Sequence, residues 1–114
     1  MSDDCIFCKI ARKEIPTDFI YEDDLVVAFN DINPQAPVHV IIIPKEHHDS
    51  ILTVLAGDDI ISHMHIVANR IALKTGIAKT GFRLVNNCGK DGNQTVLHLH
   101  YHLLGGRPLL WPPG

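Results

Sequence analysis

The sequence predicts an α+β fold: an antiparallel sheet of about five strands carrying one long and one short helix. Three observations predict it. β-rich segments crowd the first half of the chain, one long amphipathic helical stretch follows them, and two further β-rich segments come after that stretch. Strands first, then one long helix between strands, is the order of an α+β sheet rather than of repeated strand–helix–strand units.

The elements follow in order. Residues 5–14 place Ile6, Phe7, Ile10 and Ala11 on one helical face, with Pro16 just beyond, which reads as a short helix. Residues 19–21 and 25–30 are β-rich and flank Glu22, Asp23 and Asp24, so they read as a hairpin with an acidic turn. Residues 33–37, NPQAP, form a loop stiffened by two prolines. In the segment 38–43, Val40, Ile41, Ile42 and Ile43 are too apolar for a strand with one wet face. That run predicts a central strand covered on both faces. The main helix is expected from Asp58 to about Ala78, with an acidic first turn and Ile61, Met64, Ala68, Ile71 and Ala72 on one stripe. Gly76 and Gly81 bracket its end, and Phe82 to Asn86 is another strand. A Gly- and Asn-rich loop over 87–94 leads into a histidine-bearing strand that Gly105 and Gly106 end. Trp111, Pro112, Pro113 and Gly114 are expected as a rigid extended tail.

At 114 residues a single domain over 1–114 is expected. Hydrophobic residues make up 46% and charged residues 20%, the balance of an ordinary globular protein. No apolar run approaches the roughly 18 residues that span a bilayer, so no membrane association is expected. The start, Met1-Ser2-Asp3-Asp4-Cys5, is acidic and does not read as a signal peptide. A net charge of -3 with no basic cluster argues against nucleic acid as partner, while a small anionic substrate still fits. Three cysteines, an odd number, point to a reducing, cytoplasmic setting with thiols as metal ligands, nucleophiles or core filler. The compositional oddity is eight histidines, five of them in two knots: His47 with His48, and His98 with His100 and His102.

On a strand the alternation of 98–104, HLHYHLL, puts His98, His100 and His102 on one face and Leu99, Tyr101 and Leu103 on the other. Neighbouring imidazoles are then about 6.6 Å apart at Cα. Three readings compete: a polar surface face, a three-histidine metal site, and covalent phosphate chemistry. The outer pair, about 13 Å apart at Cα, is too far apart to share bonds of about 2 Å to one zinc. A neutral imidazole near pH 7 attacks phosphorus well and leaves well, and the middle ring has a neighbour on each side to fix its tautomer. Covalent phosphate chemistry is therefore favoured.

The run 92–107, GNQTVLHLHYHLLGGR, resembles the signature of the histidine-triad (HIT) family. The runs 29–37, FNDINPQAP, 43–47, IPKEH, and 111–114, WPPG, narrow the resemblance to the Hint branch, the purine nucleoside phosphoramidase type. The resemblance implies a HIT fold whose sheet continues across a homodimer. It implies that His100 attacks the α-phosphorus of a purine nucleoside 5′-phosphoramidate, an AMP or GMP conjugate, leaving a nucleotidyl-histidine that water hydrolyses. His102 then contacts the phosphate and assists proton delivery to the leaving group, the task of a general acid, and His98 supports the nucleophile. The resemblance places Asn87, Gln94 and Thr95 on the phosphate and Asp31 on the ribose hydroxyls. Without it Asp31 reads as an Asx turn opening the Pro-rich loop, and the loop kinks at Gly89 and Gly92 as a plain surface turn. Ile6, Phe7, Ile10, Phe29 and Ile32 resemble the walls of a base pocket, and Trp111 of one protomer is implied to shape substrate choice in its partner.

Cys5 and Cys8 stand at i and i+3, which by itself reads equally as a redox pair or as buried helix residues. Some bacterial HIT proteins join the positions of Cys5, Cys8, His47 and His98 around a structural zinc, and many members lack the cysteines. The resemblance thus implies a structural zinc but no cofactor in the catalysis itself, with His48 the alternative to His47 as ligand. Rival functions are a dinucleoside polyphosphate hydrolase or nucleotidyltransferase of the same superfamily, a nucleotide-binding interaction protein, and a zinc-dependent hydrolase.

Overall fold

The computed structural model describes residues 4–114; the opening three residues, part of the stretch read above as no signal peptide, lie outside the described residues. The chain runs α1 (Ile6–Ala11), β1 (Phe19–Glu22), β2 (Val26–Asn30), β3 (Val38–Pro44), a 3-10 turn at Ile51–Thr53, α2 (Ile60–Thr75), α3 (Ile77–Thr80), β4 (Phe82–Asn86) and β5 (Tyr101–Gly105). The strands form one five-stranded sheet in the order β1-β2-β3-β5-β4, every pair antiparallel. The expected antiparallel α+β sheet is the fold of this chain, with the long helix α2 accompanied by two short ones, α1 and α3.

Local chemistry explains the joins. Asp23 closes the first hairpin: its Oδ1 accepts the N–H groups of Leu25 and Val26 at 2.8 and 2.9 Å, an Asx turn. Its Oδ2 accepts the Tyr21 hydroxyl at 2.8 Å and lies 2.7 Å from His63 Nε2 on α2, which pins the long helix to the hairpin. Burial alone would raise the Asp23 pKa, but these bonds to its charged form overcome that effect and bring it to about 2.

β3 is central and covered on both faces, as its apolar run requires. Val40 and Ile42 join Val26, Ala28, Leu99, Tyr101 and Leu103 against Met64, Val67, Ala68, Ile71 and Ala72 of α2. Ile41 and Ile43 join Val27 and Phe29 against Phe7, Ile10 and Ala11 of α1. The two helices thus cover opposite faces, and the functional residues lie on the α1 side.

Three details depart from the sequence reading. The long helix stops at Thr75 because Gly76 takes φ 86°, and its N–H bonds back to Leu73 at 3.4 Å, so residues 77–80 form a separate turn. The histidine strand starts only at Tyr101. His98 and His100 precede it because the backbone there bonds elsewhere, His98 N–H to Val96 O at 2.9 Å and Leu99 N–H to His48 O at 2.7 Å. The C-terminal tail bends at Trp111–Pro112, a cis peptide, instead of running straight. No helix among the described residues is long and apolar enough to cross a membrane.

Gly105 ends β5 against α3. A Cβ there would meet Cβ, Cγ2 and Cδ1 of Ile77, all at 2.9 Å, and Ile77 is itself buried and β-branched. Gly105→Ala is therefore expected to destabilise the fold by about 1–3 kcal/mol, read as a lower urea midpoint with unchanged slope. An unchanged midpoint would show that α3 yields freely.

Candidate active site

The three alternating histidines do share one face. Leu99, Tyr101 and Leu103 enter the α2 core, while the Phe7 ring lies edge-on to His98 and His100 with centroids 5.9 and 5.1 Å away. His98 and His100 are buried, and the His102 side chain keeps 20% of its surface exposed.

Backbone carbonyls assign the tautomers, because a carbonyl oxygen only accepts. His100 Nδ1 lies 2.7 Å from the His98 carbonyl, so Nδ1 carries the hydrogen and Nε2 the lone pair. His98 Nε2 lies 2.9 Å from the Pro44 carbonyl, so its lone pair is on Nδ1. His102 Nδ1 lies 2.8 Å from His39 Nε2. Burial lowers the pKa of His100 below 6.5 and brings those of His98 and His102 to about 4; the charges of His100 and His39 push His102 the same way. All three rings are neutral at pH 7.

Two cavities that share Asp31 lie at the His102 end of this row, and neither is lined by His98 or His100. One is lined by Asp31, His39, Asn87, Asn93, Thr95 and His102. The other is apolar, lined by Ile6, Phe7, Ile10, Phe29, Ile32 and Ile41, and Asp31 borders both. Asp31 Oδ1 accepts the Asn33 N–H at 2.8 Å, the expected Asx turn, while Oδ2 lies 3.4 Å from His39 Nε2 and 4.0 Å from His102 Nδ1. The turn and a place in the site therefore coexist in one carboxylate.

The structure sorts the remaining sequence-predicted residues. Asn87 lines the polar cavity while its Nδ2 donates to Gly92 O at 2.7 Å. Gln94 does not line it: its amide donates to Asp49 O and Val96 O and accepts the Gly89 N–H, bracing the loop from within. Gly89 has φ 74°, and a Cβ on Gly92 would come within 2.2 Å of the Cys88 carbonyl, so the second kink serves the loop's own closure. Ile32 is fully exposed at the lip of the apolar cavity. Trp111 is exposed beside Arg83 of β4, 5.9 Å from guanidinium carbon to ring centroid, and outside both cavities of its own chain.

Two site residues have no counterpart in the sequence reading, His39 and Asn93. Asn93 takes φ 60° and lines the polar cavity. His39 is buried in β3. Its signal was a lone polar residue inside a strand expected to be covered on both faces, which demands a buried partner.

On the other side of His98, Cys5, Cys8, His47 and His98 bring one ligand atom each within 4.8 Å of one another. His98 Nδ1 lies 3.2 Å from Cys5 Sγ, 3.2 Å from His47 Nδ1 and 3.5 Å from Cys8 Sγ, and Cys8 Sγ lies 3.2 Å from His47 Nδ1. His47 Nε2 is 2.7 Å from the Asp49 carboxylate, so both histidines point Nδ1 lone pairs inward. Those lone pairs are satisfied either by the hydrogens of the two thiols or by a cation that displaces them. Tetrahedral zinc holds nitrogens about 3.3 Å apart and a sulfur and nitrogen about 3.6 Å apart. The four residues therefore fit a metal ion, with His47 rather than His48 in the set.

The chain belongs to the HIT family: the profile of the HIT domain matches residues 12–109. It is 49% identical over 110 residues to the purine nucleoside phosphoramidase of Escherichia coli K12, covering 96% of this chain and 92% of that protein. Among solved structures it is similar to a HIT family hydrolase from Legionella pneumophila, at TM-score 0.95 and 46% identity over 97% of this chain and 100% of that one. A histidine triad protein from Clostridium difficile matches at TM-score 0.92 and 55% identity over 95% of each chain.

Proposed function

We propose that this single HIT domain, residues 1–114, hydrolyses the P–N bond of purine nucleoside 5′-phosphoramidates through a nucleotidyl-His100 intermediate. The observation that carries the proposal is the tautomer of His100. The His98 carbonyl holds its Nδ1–H, which leaves the lone pair of the neutral ring on Nε2, the atom that acts as nucleophile. In the first step Nε2 bonds to the α-phosphorus and the P–N bond breaks. The electron pair stays on nitrogen, which takes a proton from a water molecule and leaves as the amine while His102 Nε2–H donates a hydrogen bond to it. In the second step the hydroxide left by that water bonds to phosphorus, the His100–phosphorus bond breaks, and its electron pair returns to His100 Nε2. The apolar cavity takes the purine, Asp31 the ribose hydroxyls, and the loop with Asn87, Asn93 and Thr95 the phosphate.

The Cys5, Cys8, His47 and His98 set is proposed to hold a structural zinc, which supplies rigidity between α1 and the histidine segment and no reacting atom. The edge strand β4 leaves one row of backbone groups without a strand partner, where a second protomer would extend the sheet and bring its own Trp111 tail to this site. The setting proposed is cytoplasmic, with neither nucleic acid nor membrane as partner.

The test is release of mononucleotide from an adenosine 5′-phosphoramidate. Asp31→Ala is expected to raise KM roughly 10-fold or more with a smaller change in kcat, because it removes contacts made equally in ground and transition states. A dinucleoside polyphosphate cleaved faster than the phosphoramidate would favour the rival hydrolase reading, and binding without turnover a purely nucleotide-binding role.

A further inference from the structure

β3 carries a polar residue that the scheme above does not use. His39 is 6% exposed as the second residue of an otherwise apolar strand, and both its ring nitrogens are engaged. The Gln35 backbone N–H donates to His39 Nδ1 at 3.0 Å. A backbone amide can only donate, so this contact needs a lone pair on Nδ1 and leaves the hydrogen of a neutral ring on Nε2. That nitrogen is 2.8 Å from His102 Nδ1 and 3.4 Å from Asp31 Oδ2. With His39 donating, His102 Nδ1 accepts, and the only hydrogen of a neutral His102 sits on Nε2.

The Gln35 peptide is itself anchored from the far end of β5. Arg107 Nη2 and Nε donate to the Gln35 carbonyl at 2.9 and 3.3 Å. Gly106 packs against Pro37 at a φ of 93°, where a Cβ would come within 2.9 Å of the proline ring, so the close approach of loop and strand needs glycine. A backbone amide in the Pro-rich loop thus reaches His102 through one imidazole.

We infer that His39 is a positioning residue for the phosphoramidase reaction: held by the Gln35 amide, it fixes His102 in the Nε2–H tautomer, so that His102 meets the substrate as a hydrogen donor. The inference rests on the function proposed above for its kinetic consequences but not for its structural ones. Without His39 a neutral His102 would divide between two tautomers. One of them would turn a lone pair toward the anionic phosphoryl group and the departing nitrogen.

The first measurement is the ring 15N spectrum of the wild-type protein. His39 and His102 are both expected as Nε2–H tautomers, and an Nδ1–H form of His102 would overturn the inference whatever the protein hydrolyses. Kinetics with two leaving groups come second. His39→Leu is expected to lower kcat for an alkylamine phosphoramidate of adenosine roughly 10- to 100-fold, with KM moving less than about 3-fold. His39→Gln keeps an amide hydrogen where Nε2 stood and is expected to restore most of that loss. With the 4-nitrophenyl ester of the same nucleotide, whose phenolate leaves without a proton, the leucine variant is expected within about 3-fold of wild type. Equal slowing of both substrates, or a glutamine variant as slow as the leucine one, would reduce His39 to a packing role. Wild-type protein inert toward the phosphoramidate would defeat the proposed function, and the 15N spectrum would still decide the tautomer.

Discussion

His100→Ala is expected to lower phosphoramidate turnover at least about 10⁴-fold, with nucleotide binding nearly intact. The size follows from what is removed. Two easier displacements at phosphorus become one direct attack by water, and the loss falls on kcat. Quenched wild-type reactions analysed by mass spectrometry are expected to show a nucleotidyl adduct on His100, and the variant none. The same residue sets the acid limb of the pH profile. Protonation takes away the Nε2 lone pair, and burial holds the His100 pKa below its usual 6.5. Activity should therefore persist as pH falls through 6.5 and disappear only as pH passes the lowered value. A variant keeping more than a few per cent of wild-type kcat, or an acid limb above 6.5, would remove His100 from the chemistry.

What the sequence displayed and what it hid divide along a physical line. β3 was legible because four consecutive branched apolar residues fit only a strand buried on both faces, and the structure puts one core on each side of it. The shared face of His98, His100 and His102 was legible from the alternation of the sequence, although of the three only His102 lies in β5. His39 was not, since one histidine has no period. Its role comes from register: Ile41 pairs with His102 and His39 with Leu104, so the two imidazoles meet across neighbouring strands 63 residues apart in the chain. Gln94 was misplaced for a related reason. An amide in a loop can turn outward to a ligand or inward to the loop's own backbone, and only the loop's path decides. The tautomers were hidden entirely, because they depend on which carbonyl or amide lies opposite each ring.

The second large effect concerns the Cys/His cluster. Purified without a metal-affinity tag, wild-type protein is expected to carry one zinc per chain, and Cys8→Ala none. Cys8 is buried on α1 with its sulfur 3.2 Å from His47 Nδ1, so its loss opens the tetrahedron while removing little packing. A metal present at about 1,000 times its Kd stabilises the folded state by about 4 kcal/mol. In a chain of this length that corresponds to a fall in Tm of roughly 10 °C or more. Wild-type protein stripped by a chelator should melt close to the variant, which separates loss of metal from loss of the thiol. Turnover measured well below that lower Tm should largely survive in both, since His100 and His102 lie outside the ligand set. A zinc-dependent hydrolase predicts the reverse, with full stability to heat mattering little and activity vanishing on chelation. His98 joins the two outcomes: its ring completes the cluster while its carbonyl holds the Nδ1–H of His100. The metal thus acts on the nucleophile only through the backbone, as a restraint on where that carbonyl lies. A modest fall in kcat on stripping, with KM for the nucleotide unchanged, is the signature of that restraint.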